Sequence, residues 1–183
     1  MSVAALDRDH GDVVVPVAAS TLPALYDQHF ASLVKLASMY VDDRETAEEV
    51  VQDAFVKLLA GNYRIEQGKQ APYLRQMVLN GARSMLRKRR VRRLHTPDRA
   101  GLVAAAEESG VANTERSRML AALRRLPAKQ ASVLILRYYL DLSEAEIAET
   151  LGIARGSVKS HAHRGLAKLH VILERDAESG GGR

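Results

Sequence analysis

Seven cations, Arg83, Arg87, Lys88, Arg89, Arg90, Arg92 and Arg93, fall within eleven consecutive positions of a chain that carries 27 Lys and Arg in all. Cations at that density can follow a phosphate backbone, each neutralised phosphate releasing counterions and adding salt-sensitive affinity. They are equally at home as the solvated end of a helix, where positive charge opposes the helix dipole. A second polar and basic set, Arg155, Lys159, Ser160, His163 and Arg164, recurs at helical spacing further on. Counting about 100° per residue from an inward Val158 puts Ala162, Leu166 and Leu169 on its side. Gly156, Ser160, His163 and Arg164 then point away, flanked by Arg155 and Lys159. Such a face at the start of a helix meets base edges and phosphates in a major groove. An ordinary helical hairpin would present the same face to water.

The residues before that helix favour DNA reading. Two helices crossing steeply over a short turn need a small residue where the axes approach, a Gly where the chain turns with positive φ, and a branched apolar residue on the second helix. Ala148, Gly152 and Val158 supply them, and Ile147, Leu151 and Ile153 complete a small core. Ser143 and Glu146 have the spacing of a capping box at the start of the first helix.

Other chemistries lack their residues. There is no GxxxxGK, HExxH or GxSxG motif, and no Cys to serve as nucleophile, disulfide or thiolate ligand. His161 and His163 are two apart on a helix and face different ways, a poor start for a metal site. No catalytic residue, metal or cofactor is therefore expected, and the chain is read as a non-enzyme. The formal charge of +5 and 46% hydrophobic content suit a soluble protein with an acidic partner. Asp7, Arg8, Asp9 and Asp12 interrupt any apolar core of a signal peptide, and no stretch approaches the roughly 18 apolar residues of a spanning helix. A cytoplasmic location without membrane insertion is the expectation.

Positioning these residues requires helices, and prolines mark where they start. Apolar residues from Pro23 to Tyr40 recur at threes and fours, predicting a first helix. Asp42 with Glu45 resembles a capping box for a second, whose stripe is Ala47, Val50, Val51, Ala54, Phe55, Leu58 and Leu59. Its other face is acidic. Gly61 and Asn62 stop it, Tyr63 to Gln70 reads as a loop, and Pro72 starts a third helix running into the arginine run. Periodicity fades over residues 94–117, a span read as a linker. Arg118 to Leu126, the run opened by Pro127, the run opened by Ser143, and Arg155 to about Glu174 complete the helices. The fold class is thus all-α: two small helical domains joined by a flexible linker. The boundaries are 1–21 for an N-terminal tail, 22–93, 94–117, 118–176, and 177–183 for a Gly-rich tail.

Three motifs carry a family resemblance. They are Asp43-Arg44-Glu45-Thr46-Ala47-Glu48-Glu49-Val50-Val51-Gln52-Asp53-Ala54-Phe55, then Tyr73-Leu74 through Asn80 into the arginine run, and Leu126-Pro127-Ala128-Lys129-Gln130 leading to Leu142–Ala148 and Gly156–Ser160. In order and spacing the chain resembles a bacterial RNA polymerase sigma factor of the extracytoplasmic-function group, with 22–93 as region 2 and 118–176 as region 4. It departs from that pattern at Tyr73, where Trp is usual, at His161-Ala162, where Arg-Leu is commoner, and at Ala154, a poor N-cap.

The resemblance implies partners and roles. Core RNA polymerase would meet Glu49, Gln52, Asp53 and Phe55 on the second helix, a helix that by itself reads as a core element with a solvated acidic face. The minus-ten DNA strand would meet Tyr63, Tyr73, Asn80, Arg83, Arg87 and Arg90. Minus-thirty-five duplex would meet Arg155, Ser157, Lys159, Ser160, His163 and Arg164. An anti-sigma factor is the further partner implied. The alternative is a helix-turn-helix regulator that binds DNA without serving as a polymerase subunit; it leaves the acidic helix and the arginine run without a purpose.

Overall fold

The structure, a computed structural model, describes residues 14–16, 22–61, 64–66, 68–95 and 110–180. In the first half, α1 (Leu22–Ala37), α2 (Arg44–Ala60) and α3 (Gln70–His95) pack against one another. Leu33, Leu36, Val51, Leu58, Leu74, Val78 and Leu79 form their interior, each at 2% exposure or less. Asp43, not Asp42, caps α2. Its backbone is extended (φ −128°, ψ 157°), and its carboxylate accepts from Thr46 N–H at 2.7 Å and from the Thr46 hydroxyl at 2.9 Å. Asp42 instead faces two guanidiniums, Arg89 at 3.1 Å and Arg124 at 2.8 Å. Pro72 lies in the first turn of α3, where its missing N–H goes unused.

The loop after α2 contains a short strand. β1 (Val14–Pro16) pairs antiparallel with β2 (Arg64–Glu66), Val15 opposite Ile65, and the Ile65 side chain is buried. Three residues per strand give no period to recognise, so this ribbon escapes a reading that depends on alternation.

In the second half, α4 (Gly110–Arg125) opens inside the span read as linker rather than at Arg118. Pro127 precedes α5 (Ala128–Leu134), which continues as a π-helical turn over Ile135–Tyr139, Leu140 N–H donating to Ile135 O at 3.2 Å. α6 (Glu144–Leu151) and α7 (Arg155–Gly180) follow. α7 runs on to Gly180, taking in most of the residues read as a tail. The described residues of the two halves touch: α3 packs on α6, and one buried apolar cluster runs through both.

Candidate nucleic-acid interface

The α6–α7 pair is built as its spacing predicts. The Ser143 hydroxyl accepts from Glu146 N–H at 3.3 Å, while the Glu146 carboxylate accepts from Ser143 N–H at 2.9 Å and from its hydroxyl at 2.7 Å. Those bonds stabilise the charged form and hold the Glu146 carboxyl below its ordinary pKa. Gly152 takes the left-handed conformation, φ 60°, that lets the chain leave α6 while Ile153 N–H reaches back to Ala148 O at 3.0 Å. Ile147, Ala148, Val158 and Ala162 are buried behind the turn.

Leu166 does not share Val158's side: it is 44% exposed. Gly165 takes the inward place, because seven residues make almost two whole turns and eight overshoot by about 80°. A Cβ on Gly165 would lie 3.2 Å from Leu134 Cδ1 and 3.3 Å from Gln130 Cβ, so α5 and α7 are close because this position is Gly.

Arg155, Lys159, Ser160, His163 and Arg164 are all exposed along α7, and Ser157 is half-buried at their margin. Arg164 Nε donates to Ser160 O at 3.3 Å, and Lys159 Nζ stands 3.8 Å from Glu144. His161, the neighbour of this face, turns partly inward, its Nδ1 buried without a protein partner. No group of three or more His, Asp or Glu among the described residues could hold a metal ion.

The minus-ten candidates divide. Asn80 and Arg87 are exposed on α3. Tyr73 is half-buried. Arg83 turns toward the second half, donating from Nη2 to Ala128 O at 3.1 Å and to the Ser132 hydroxyl. Tyr63 lies outside the described residues, as does the side chain of Arg90. Arg89 of the same run is held by Asp42, Asp43 and the Thr46 hydroxyl.

On α2, Glu49, Gln52 and Asp53 are exposed, but Phe55 is not available to a partner. It is 5% exposed, with its ring centroid 5.1 Å from that of Tyr26. Two positions from Asp53 is about 200° around the helix, so Phe55 has to face the bundle when Asp53 faces out. Val56 and Leu59 are the apolar residues on the open side, 62% and 58% exposed, although Leu59 reads as part of the inward stripe. The signal for Val56 was present: 49, 52, 53 and 56 follow the 3-and-4 spacing of one face.

Comparison with known proteins decides the family. The model for Sigma-70 region 2 matches residues 25–92, and that for Sigma-70, region 4, matches residues 116–169. The chain is 32% identical over 167 residues to the ECF RNA polymerase sigma factor SigL of Mycobacterium tuberculosis, covering 85% of this chain and 90% of that one. The chain belongs to the extracytoplasmic-function group of RNA polymerase sigma factors. The RNA polymerase sigma-E factor of Streptomyces avermitilis is 31% identical over 147 residues, 78% of this chain and 79% of its own. Two solved structures share the fold: CnrH in complex with the cytosolic domain of CnrY (TM-score 0.60, 23% identity, 87% of this chain and 92% of that one), and the sigma factor RpoE with the anti-sigma factor NepR from Bartonella quintana (TM-score 0.61, 22% identity, 85% and 98%). As a sigma factor the protein binds core RNA polymerase and directs promoter recognition and transcription initiation. Among the described residues no helix is long and apolar enough to cross a membrane.

Proposed function

We propose a division of labour among three helices of this sigma factor. α7 reads minus-thirty-five duplex through Arg155, Lys159, Ser160, His163 and Arg164, with Ser157 at the edge. α3 holds the minus-ten strand through Asn80 and Arg87, joined by Tyr63, Tyr73, Arg83 and Arg90. α2 docks core polymerase through Glu49, Gln52 and Asp53, with Val56 as the apolar anchor in place of Phe55. Region 2 is taken as 22–93 and region 4 as 118–176, flanked by tails 1–21 and 177–183 around the 94–117 connection. The single observation that carries this reading is the exposed polar and basic face of α7 behind a capped, Gly-turned helix pair.

The protein makes no bonds itself. It lends specificity to an enzyme that does, in the cytoplasm, and an anti-sigma factor is its regulatory partner; the RpoE structure of similar fold, bound to the anti-sigma factor NepR, supports that last point. The test is competition for bacterial core polymerase. Val56→Glu and Asp53→Arg each reduce core binding by about tenfold, the loss of roughly 1.4 kcal/mol expected for an interface contact. Lys159→Ala leaves core binding unchanged and weakens only minus-thirty-five duplex. Variants of α2 that compete for core like wild type would remove α2 as the docking helix.

A further inference from the structure

The polar groups of the reading face on α7 are held in different ways. Arg164 Nε donates to Ser160 O at 3.3 Å, one turn back on its own helix, and the Ser160 hydroxyl donates to Gly156 O at 3.4 Å. Lys159 is held from outside. Among the described residues it is the one cation of that face paired with a carboxylate, its Nζ standing 3.8 Å from Glu144 Oε2. Glu144 is the first residue of α6, and its other oxygen accepts from Arg137 Nη1 at 3.4 Å. Arg137 in turn stands in the π-helical turn, its guanidinium carbon 5.8 Å from the centre of the exposed Tyr138 ring, within reach of the attraction of an aromatic face. One carboxylate thus ties the turn after α5, the start of α6 and the reading helix together.

Local structure does not call for a carboxylate at position 144. The capping box of α6 is made by Ser143 and Glu146, and Glu146 also supplies an anion to the first turn, where the helix dipole favours one. The Lys159 side chain is 72% exposed against 26% for Glu144, and ion pairs so open to water contribute little to stability. Glu144 also sets a negative charge beside a face that meets DNA phosphates, where like charge lowers affinity. A group that adds little stability and opposes binding has its use in deciding what is bound.

The chemistry of lysine shows how. Its ammonium is a compact charge on a flexible four-carbon stem, and a phosphate, which every sequence offers, satisfies it without reading anything. Val158, the neighbour of Lys159, is fully buried, so the root of the stem is fixed and only the stem decides where the ammonium goes. Opposite Glu144 the ammonium is drawn toward α6. Its remaining donors then face the groove, where guanine O6 and N7 are the acceptors that a lysine recognises.

We propose that Glu144 is a positioning residue for minus-thirty-five recognition: its carboxylate holds the Lys159 ammonium away from the DNA backbone and aims it at the acceptor edge of a guanine, turning a cation that would bind any duplex into one that selects sequence. The inference rests on the reading of α7 as the duplex-binding helix. Arg164, which no carboxylate among the described residues restrains, keeps the same role whatever stands at position 144.

The test is a double-variant cycle in the full-length protein on two duplexes: the sequence that wild-type protein enriches from a randomised pool, and a scrambled duplex of the same composition. Each is titrated at several salt concentrations. Glu144→Gln keeps the size and polarity of the side chain and removes its charge, and helical circular dichroism checks that the variants fold. The expected result is that Glu144→Gln binds scrambled duplex about threefold more tightly, the size of one exposed charge interaction. The ratio of the two affinities falls about tenfold, as loss of one base contact requires. With Glu144 present, Lys159→Ala lowers that ratio by a similar factor and leaves the slope of log K against log salt on scrambled duplex unchanged. In the Glu144→Gln background, Lys159→Ala instead lowers the slope by about 0.9, one phosphate contact, and leaves the ratio where it was. A merely structural role for Glu144 in α6 would not make the salt response of Lys159 depend on residue 144. Arg164→Ala keeps the two possible failures apart. If Lys159→Ala changes slope and ratio equally in both backgrounds while Arg164→Ala weakens duplex binding, α7 reads duplex without help from Glu144 and the proposal is overturned. It is overturned as well if Glu144→Gln lowers the ratio equally with and without Lys159, which would make Glu144 a base-reading group itself. If neither Arg164→Ala nor Lys159→Ala changes binding, the reading of α7 fails and the proposal falls with it.

Discussion

At the residue scale the most informative side chains are those whose neighbours change their chemistry. Asp43 is exposed, yet the Thr46 N–H and hydroxyl, with a smaller share from Arg89, hold its carboxyl below the ordinary aspartate pKa. A depressed folded pKa means that the cap contributes in full above the unfolded value near pH 4 and is lost as pH falls through the folded value. Asp43→Ala therefore costs about 1 kcal/mol at pH 7, the usual worth of an N-cap, and Asp43→Asn costs less because its amide oxygen still accepts. Urea titrations of wild type and Asp43→Ala at pH 7 and below pH 3 check this: the difference in midpoint shrinks on acidification. A gap of equal size at both pH values would mean that packing, not the charged cap, is what the mutation removes. The ion pair of Arg89 adds little here, since exposed pairs contribute at most a few tenths to 1 kcal/mol.

At the element scale the helix-turn-helix was the most legible part of the sequence, for physical reasons. Its cap, its turn and its core are local: Ser143 with Glu146, the left-handed Gly152, and Ile147 with Val158 lie within sixteen residues and each has a chemical requirement of its own. Helix number and fold class followed from periodicity in the same way. Faces failed where a single step decides them: Phe55 against Val56 on α2, and Leu166 against Gly165 on α7. The cap of α2 was misplaced by one residue because two consecutive aspartates compete, and only the distant Arg124, which pairs with Asp42 and not with Asp43, shows which one is spent elsewhere. The Gly165 contact predicts that Gly165→Val, which must push Leu134 aside, lowers stability by about 1–3 kcal/mol. Gly156, where an added Cβ meets nothing within 4 Å, takes the same substitution within about 0.5 kcal/mol. Thermal unfolding of both variants tests the pair, and equal losses would exclude close helix approach as the cause. The reading face of α7 makes a different prediction. Lys159→Ala and Arg164→Ala each weaken binding to minus-thirty-five duplex, and each lowers the slope of log K against log salt by about 0.9 if the lost cation meets a phosphate. A residue that reads a base instead loses about 1–3 kcal/mol of sequence discrimination with little change in slope. Titrations at several salt concentrations separate the two roles; no change in either quantity would remove the residue from the interface.

At the scale of the whole molecule, the junction between the two halves, where Tyr40 and the Ser132 hydroxyl share a 2.8 Å hydrogen bond, sets how the protein unfolds. None of it was visible along the chain, because Tyr40 and Ser132 are ninety-two residues apart and neither is unusual where it stands. The buried cluster passes without a break from Leu36, Leu74 and Val78 to Leu136, Ile147 and Val158. Each half is small enough to be marginal by itself, so the surface that each covers on the other is a substantial part of its stability. Losing one half exposes the junction face of its partner, which couples the two transitions. Native-state hydrogen exchange resolves this, because amides of α2 and of α5 report their own halves separately. In wild-type protein the most protected amides of Val50–Leu58 and of Gln130–Leu136 converge on one opening free energy and one dependence on denaturant. In the Ser132→Ala, Tyr40→Phe double variant the two sets separate, the less stable half exchanging at lower denaturant with the shallower slope of a smaller unfolding unit. Two distinct opening energies already present in wild type would mean that the halves touch without stabilising each other, and the shared cluster would then be contact without cooperativity.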